Sequence, residues 1–409
     1  MKELSGKQYI LVFIASCGLA ACALGCIVNV NGVFFGPVSE ALSVGRGAVS
    51  LAATLTAITT GFMGPLTIKT MQRIPFRRIL TISVMITALA TLGMALVSNL
   101  VIFDILSVIR GASSAFFGIP VITVLMGNWF VKKRGMLTGL VMSCSGIVGA
   151  ILSPVLSKVI NAYGYRTGYV ICAGLMLLFT LPGMFVLRED PALLGGKAYG
   201  EGSDQTESQK KSVGNESFIT YKKASFIFIG LCIAAFLCQS VCSICQHLAG
   251  IAEAAGQSSM VGALMISAAM VGNIFAKFAV GLLSDLLGAM NSAFILITAF
   301  LMGLFSLTFF ADYEIILLVG SFLLGSSYAC ALMLSNVTFA LYGTKQYGEV
   351  YSLLTVILNI GGALAITLVG MGYDIFHGYG VILFSGIAMT ITAILLLAAI
   401  VVNMKKNRN

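Results

Sequence analysis

The sequence predicts an all-α membrane protein of twelve transmembrane helices arranged as two pseudo-symmetric six-helix bundles. Hydrophobic residues make up 58% of the chain and charged residues only 10%, where an ordinary soluble domain carries about 25% charged. Apolar runs long enough to cross a hydrocarbon core of about 30 Å, which takes about 20 helical residues, recur from one end to the other. A polar segment near the middle divides them six and six, and the two halves echo each other.

The first span, residues 9–35, follows the short polar start "MKELSGKQY". That run is too long for a signal h-region and lacks a small-residue cleavage site, so no cleaved signal peptide is expected. The second span, 48–68, ends on the basic loop "KTMQRIPFRR", and the third and fourth, 78–98 and 101–126, follow closely, the fourth carrying Arg110. "KKR" at 132–134 opens the fifth span, 136–158, along which Gly135, Gly139, Ser143, Gly146, Ala150, Ser153 and Ser157 recur every three or four residues. One helical face is thereby almost without side chains, a surface for close helix packing or for sliding during transport. Pro154 predicts a kink toward the far end of that helix. After the sixth span, 167–187, comes "REDPALLGGKAYGEGSDQTESQKKSVGNESFITYKK", whose Gly, Ser, Glu and Lys content buries no core and reads as a flexible cytoplasmic linker. The domain boundaries are therefore set at 1–188, 189–224 and 225–409. The remaining spans are 225–247, 258–283, 292–311, 314–337, 350–371 and 379–403. All are continuously apolar rather than alternating, which selects helices over barrel strands because each must satisfy its own backbone in lipid.

Basic residues set the orientation. With the N-terminus inside, 19 of the 24 Lys and Arg fall on one side, among them Lys2, Lys7, Arg73, Arg77, Arg78, Lys345 and the "KKNR" tail. Arg46, Lys158 and Arg166 fall outside, and Arg110 and Lys277 lie within spans. This asymmetry places both termini in the cytoplasm and explains the net charge of +9 by topology, with no nucleic-acid partner required. The "NES" at 215–217 has the form of a glycosylation acceptor but sits on the wrong side.

The halves repeat: "KKRGMLTG" to "NAYGYR" after the fourth span corresponds to "KQYGEVYS" to "DIFHGYG" after the tenth. "GPLTIKTMQRIPFRR" after the second corresponds to "GLLSDLLGAMN" after the eighth. Two six-helix repeats with a binding site at their interface are the signature of a secondary transporter.

The pattern G-x-L-x-D-x-x-G formed by Gly281, Leu283, Asp285 and Gly288 resembles the cytoplasmic-loop motif of the major facilitator superfamily. The first-half copy keeps Gly64, Leu66 and the basic Arg73, Arg77 and Arg78, but Ile68 stands where the acid is expected. "GNWFVKKRGMLTGLVMSCSGIVGAILSP" with "YGYR" at 163–166, and "VFFGPVSEALSVGRGAVS" after the first span, resemble the oxalate/formate antiporter-like and monocarboxylate transporter branch. The resemblance implies the major facilitator fold and a conformational latch formed by Asp285, Gly281, Gly288 and Arg73. It also implies a substrate-contacting cation at the place of Lys277, preceded four residues earlier by an aspartate; here Asn273 takes that place. No lysine lies in the eleventh span, where some oxalate-type members carry one, and this weakens a dicarboxylate assignment.

An intramembrane cation is costly and normally has a task, which makes Lys277 and Arg110 the leading substrate-binding candidates. The plain alternative for Lys277 is snorkelling to the near membrane surface, and for Arg110 hydrogen bonding to neighbouring backbone carbonyls. Asn273 and Ser284 share the Lys277 face and form a polar stripe. Further polar partners for a small substrate are Asn29, Asn31, Gln239, Gln246, Asn336 and Asn359. Cys22 and Cys26 in the first span and Cys238, Cys242 and Cys245 in the seventh line helical faces; they read as small buried hydrophobes, without the accompanying ligands of a metal site.

Neither a phosphate-cradling loop nor an H-E-x-x-H pattern occurs, and no cofactor or enzymatic activity is expected. The sequence thus leads to alternating-access transport of a small organic anion, with a monocarboxylate favoured, by a monomer in the bacterial inner membrane. A proton or counter-anion would be the coupled species of symport or antiport. Efflux of hydrophobic compounds and substrate sensing without transport are the competing readings.

Overall fold

The computed structural model describes residues 6–71, 73–132, 134–200 and 225–406. Lys2, Lys133, Arg408, and linker residues 201–224 with the "NES" at 215–217, lie outside the described residues. The chain groups into two compact units, Met1–Val44 with Ala48–Glu207, and Gly45–Gly47 with Ser208–Asn409.

Unit 1 begins with α1, Gly6–Ala20, which widens into a π-helical stretch over Ala21–Asn29. A turn at Val30 and Asn31 separates it from α2, Gly32–Leu42. The first span therefore does not run straight to residue 35 as its hydropathy suggests. The uniform apolar run conceals a change of helical pitch, because hydropathy records burial and not backbone hydrogen bonding. Next come α3 (Arg46–Met71), α4 (Phe76–Leu96) and α5 (Leu100–Ser114). The α5 N-terminus is capped by the Asn99 side chain, which accepts from the N–H of Val101 at 2.9 Å and of Ile102 at 3.3 Å. A short 3-10 turn leads to α6, Ile119–Trp129.

The helix α7 runs over Arg134–Val186, 53 residues, or about 80 Å at 1.5 Å per residue, more than two bilayer crossings. Gly164, at φ 81°, breaks it into two arms, a left-handed position that an L side chain adopts only at a cost. Pro154 keeps helical dihedrals, so the break lies at the glycine and not at the proline. Eleven helices among the described residues are long and apolar enough to span a membrane, and the division of α7 raises the crossings to twelve.

Residues 189–200, the first part of the polar linker, are built into unit 1. Asp190 caps a 3-10 turn over Pro191–Leu194 by accepting from the Ala192 N–H at 2.7 Å. The Tyr199 N–H donates to the Trp129 carbonyl at 2.8 Å, and the Tyr9 hydroxyl donates to the Lys197 carbonyl at 2.7 Å.

Unit 2 contains α8 (Phe226–Ser243), α9 (Leu248–Ala254), α10 (Ser259–Leu287), α11 (Ala289–Phe309), α12 (Glu314–Gly325), α13 (Cys330–Phe376, kinked at Gly343) and α14 (Gly380–Lys406). Ser225 and Ser258 cap α8 and α10. Gly288, at φ 85°, ends α10. Helices α10 and α12 approach so closely that a Cβ on Gly272 would overlap the Phe322 carbonyl, and one on Gly325 the Ala269 carbonyl. Side chains such as Ile82, Leu89, Leu282 and Leu395 are exposed and form the apolar outer surface expected of a lipid-facing protein.

Candidate functional site

Within unit 1, Arg110 sits near the end of α5 and is only 3% exposed. Its position is set by the contact of α5 with α3. A Cβ on Gly111 would overlap the Thr56 carbonyl, and hydroxyls tie the helices on either side. Thr56 donates to the Ser107 carbonyl at 3.1 Å and Thr60 to the Gly111 carbonyl at 3.0 Å. One Arg110 Nη donates to Thr56 Oγ1 at 3.3 Å, while its Nε has no hydrogen-bond partner. The Tyr169 phenol and the Cys172 thiol lie near it, and neither is a carboxylate. Tyr169 in turn stacks on Phe34 with ring centroids 4.2 Å apart.

A guanidinium has five N–H donors, and burying it with its Nε unused is costly unless an anion arrives. Asn29 is committed otherwise, since its amide donates to the Ser145 carbonyl at 2.9 Å and ties the first span to α7. Asn31 is buried beside the same turn. Gly135 and Gly139 have open space where a Cβ would stand, so close packing does not account for the small-residue face at those two positions.

Within unit 2, Lys277 is half-buried on α10, with the Cys242 thiol of α8 nearby. Asn273, one helical turn earlier, is 4% exposed and its Oδ1 has no hydrogen-bond partner. Two turns beyond Lys277, Ser284 accepts from the Asn336 amide at 3.0 Å, which brings α13 onto the predicted polar stripe. Cys242 also contacts Ser327, and Cys245 lies 3.7 Å from the Ser327 hydroxyl. Cys330 meets Cys238, so thiols of α8 and α13 converge within unit 2, and Cys242 is the one among them that neighbours Lys277. All ten cysteines are free thiols, and no group of three or more His, Cys, Asp or Glu among the described residues is placed to hold a metal.

Gln239 packs against Gly362 instead of joining this group, and Asn359 is exposed. The Gln246 Oε1 is buried without a partner. Asp285 is exposed on the last turn of α10, and Arg73 is exposed in the loop after α3. A Cβ at Gly281 would meet nothing.

Among the described residues the ion pair is Arg46 with Glu253, both in regions of unit 2. The Arg46 guanidinium also lies 4.2 Å over the Tyr373 ring, and the Arg46 and Gly47 N–H groups donate to the Asp374 carboxylate at 2.8 and 2.7 Å. The Arg46 guanidinium also donates to the neighbouring Tyr379 phenol oxygen. Among the described residues neither Arg110 nor Lys277 has a carboxylate partner of this kind. Sequence reasoning missed Thr56, Tyr169, Cys172, Ser327 and Cys330, because each is an ordinary residue within its own helix and gains meaning only across a helix contact.

The family model described as Major Facilitator Superfamily matches residues 17–244. The chain is similar to the MFS-type transporter YcxA of Bacillus subtilis (strain 168), 23% identical over 357 residues that cover 85% of this chain and 84% of that protein. A shorter stretch is similar to Sugar phosphate exchanger 3 of Xenopus laevis, 33% identical over 95 residues, 23% of this chain and 19% of the relative. In fold it is similar to a bacterial homologue of the human lysosomal transporter Spinster, with a TM-score of 0.69 at 15% identity, covering 98% of each chain.

Proposed function

The chain belongs to the major facilitator superfamily, and from that premise we propose that it carries a small organic anion by alternating access, with a monocarboxylate the favoured cargo. It is a membrane transporter, not an enzyme. The observation that carries the anion reading is an intramembrane cation in each unit without a carboxylate partner among the described residues, the buried Arg110 in unit 1 and the half-buried Lys277 in unit 2.

A charge taken out of water without compensation costs several kcal/mol by any reckoning, and an arriving carboxylate offsets part of that through a charge-assisted hydrogen bond. Lys277 is the primary anion contact in this reading. Asn273 supplies a free acceptor for a substrate hydroxyl or a carboxylic proton, and Arg110 is the anion-binding candidate of unit 1. Asn31, Gln239, Asn336 and Asn359 are the secondary polar candidates, with Asn29 held back by its bond to Ser145. Asp285, with Gly281, Gly288 and Arg73, forms the conformational latch. The transporter works as a monomer in the bacterial inner membrane with both termini cytoplasmic, and exchanges the anion or couples it to a proton.

A second reading has its own support. The partial relatives are named sugar phosphate exchangers, and a sugar phosphate is also an organic anion. A phosphate group would meet Lys277 as a carboxylate does, through a charge-assisted hydrogen bond.

Thermal-shift measurements on the purified protein decide among these, because a ligand that binds the folded state raises apparent stability by mass action. Stabilisation by monocarboxylates, followed by counterflow of the same compound in proteoliposomes, is the expected result. Stabilisation by sugar phosphates alone would select the second reading. A response only to neutral sugars or lipophilic cations would remove the anion reading altogether.

A further inference from the structure

At the start of α4 and the end of α7, on the side that the basic loops predict to be cytoplasmic, unit 1 carries a cavity of about 690 Å³ that shares no residue with the candidate transport site. Three arginines line it, Arg77, Arg78 and Arg188, together with the single carboxylate Glu189. Its wall continues onto Ile82 and Leu193, which are 60% and 58% exposed.

The charges there are unpaired: among the described residues no ion pair joins any of these arginines to Glu189. Glu189 instead accepts from the Phe76 N–H at 3.3 Å. Arg77 uses its Nε on the Met184 carbonyl at 2.8 Å, and Arg188 uses one Nη on the Leu187 carbonyl at 3.3 Å. Most guanidinium donors therefore remain available around the cavity, and Arg78 is exposed.

The backbone of this wall is fixed in advance. Asn128 donates its amide to the Glu189 carbonyl and Trp129 its indole to the Arg188 carbonyl, both at 2.8 Å. The "NW" dipeptide thus holds Arg188 and Glu189 against the end of α6, the Glu189 bond to the Phe76 N–H joins them to the start of α4, and a preorganised site loses less on binding.

We propose that this cavity is a binding site for an anionic phospholipid, with the phosphodiester on Arg78 and Arg188 and an acyl chain along Ile82. Three facts of the site select that ligand over other anions. Guanidinium forks match phosphate oxygens in pairs. The net positive lining suits one negative headgroup, and anionic lipid is what the cytoplasmic leaflet offers to basic pockets at helix ends. The exposed apolar rim gives a hydrocarbon chain a place that a free phosphate ester would not use.

Trp129 is the only tryptophan of the chain, and its indole is bonded to Arg188, so its fluorescence reports on the site directly. The full-length protein in an uncharged detergent is titrated with short-chain phosphatidylglycerol, short-chain phosphatidylcholine and glycerol phosphate. A saturable change with phosphatidylglycerol is expected, with an apparent affinity at least tenfold weaker for phosphatidylcholine and no response to glycerol phosphate at equal concentration. The double variant Arg78→Gln/Arg188→Gln should lose the phosphatidylglycerol response. If that variant does not fold, Arg78→Gln alone, at an exposed position, should weaken it several-fold. Equal responses to the two lipids, or wild-type titration by a folded variant, would overturn the proposal. So would an equal response to glycerol phosphate, which would make this a site for free phosphate esters.

Discussion

The indole of Trp129 and the carbonyl of Arg188 are 2.8 Å apart and joined by a hydrogen bond, which fastens the end of the sixth span to the end of the fourth. Asn128 makes the parallel bond to Glu189, and Tyr9, Phe130 and Tyr199 close an aromatic cluster on the other side, with the Tyr9 and Tyr199 centroids 5.4 Å apart. The same motif that resembles the monocarboxylate branch in the sequence is thus a fastening for the basic face of unit 1.

Replacing Trp129 by Phe keeps the ring but removes the donor, and leaves the Arg188 carbonyl short of a partner. A lost buried hydrogen bond of this kind costs about 1–3 kcal/mol. Trp129→Phe should therefore lower the thermal unfolding midpoint of the purified protein while substrate affinity stays within about twofold of wild type. An unchanged midpoint would show that the aromatic cluster alone holds this face.

Helix α10 should tolerate change very unevenly. At Gly272 a Cβ meets the Phe322 carbonyl, an atom of a rigid backbone, whereas at Gly281 it meets nothing. Overpacking costs about 1–3 kcal/mol and more where backbone must shift. Gly272→Val is expected to abolish folded, monodisperse protein in size-exclusion chromatography, and Gly281→Ala to elute as wild type. Equal profiles would mean that α10 and α12 part easily.

These contrasts mark what hydropathy makes legible. The crossings could be read because lipid forces every span into a continuous apolar run, and Gly164 between the fifth and sixth spans declared itself as a break by lying between two such runs. The ordered segment at 189–200 could not, since Tyr9 and Trp129, distant in sequence, hold it, and the π-helical pitch over Ala21–Asn29 leaves no mark in hydropathy. Arg110 and Lys277 stood out because charge is expensive in a span. Tyr169 and Cys330, their companions, did not, because a tyrosine or cysteine in an apolar helix is unremarkable until the helix register is known.

Arg110 offers a direct test of an uncompensated cation. Its surroundings are Thr56, Tyr169 and Cys172, so its removal leaves no orphaned carboxylate. Arg110→Gln should fold normally and yet lose at least about tenfold in anion affinity, the equivalent of about 1.4 kcal/mol. Wild-type binding by the folded variant would assign Arg110 to helix packing through Thr56.

Asp285 has no hydrogen bond or ion pair within its own unit among the described residues, and it stands exposed at the end of α10. If it latches one state of the transport cycle, its charge biases a conformational balance without touching substrate. Asp285→Asn should then change turnover in proteoliposomes several-fold while equilibrium affinity changes by less than about twofold. Unaltered turnover at normal expression would dismiss the latch.

Lys277 carries the most decisive prediction. The ammonium is half-buried beside Cys242, no carboxylate pairs with it among the described residues, and one helical turn earlier stands the neutral Asn273. An anion that enters meets a point charge with up to three donors, so removing the charge removes the main attraction. Truncating one partner of a buried charged pair costs about 2–5 kcal/mol, which corresponds to a loss of about thirtyfold or more in affinity. Lys277→Gln should therefore bind the anion too weakly to measure by calorimetry while remaining folded, since the polar amide still accommodates Asn273 and Cys242. Lys277→Arg should retain part of the binding with altered preference among anions, because a planar fork engages a carboxylate in pairs where an ammonium does not. Measured together, the two variants separate charge from geometry. If Lys277→Gln binds as the wild type does, the lysine merely snorkels to the membrane surface, and Arg110 is left as the anion contact.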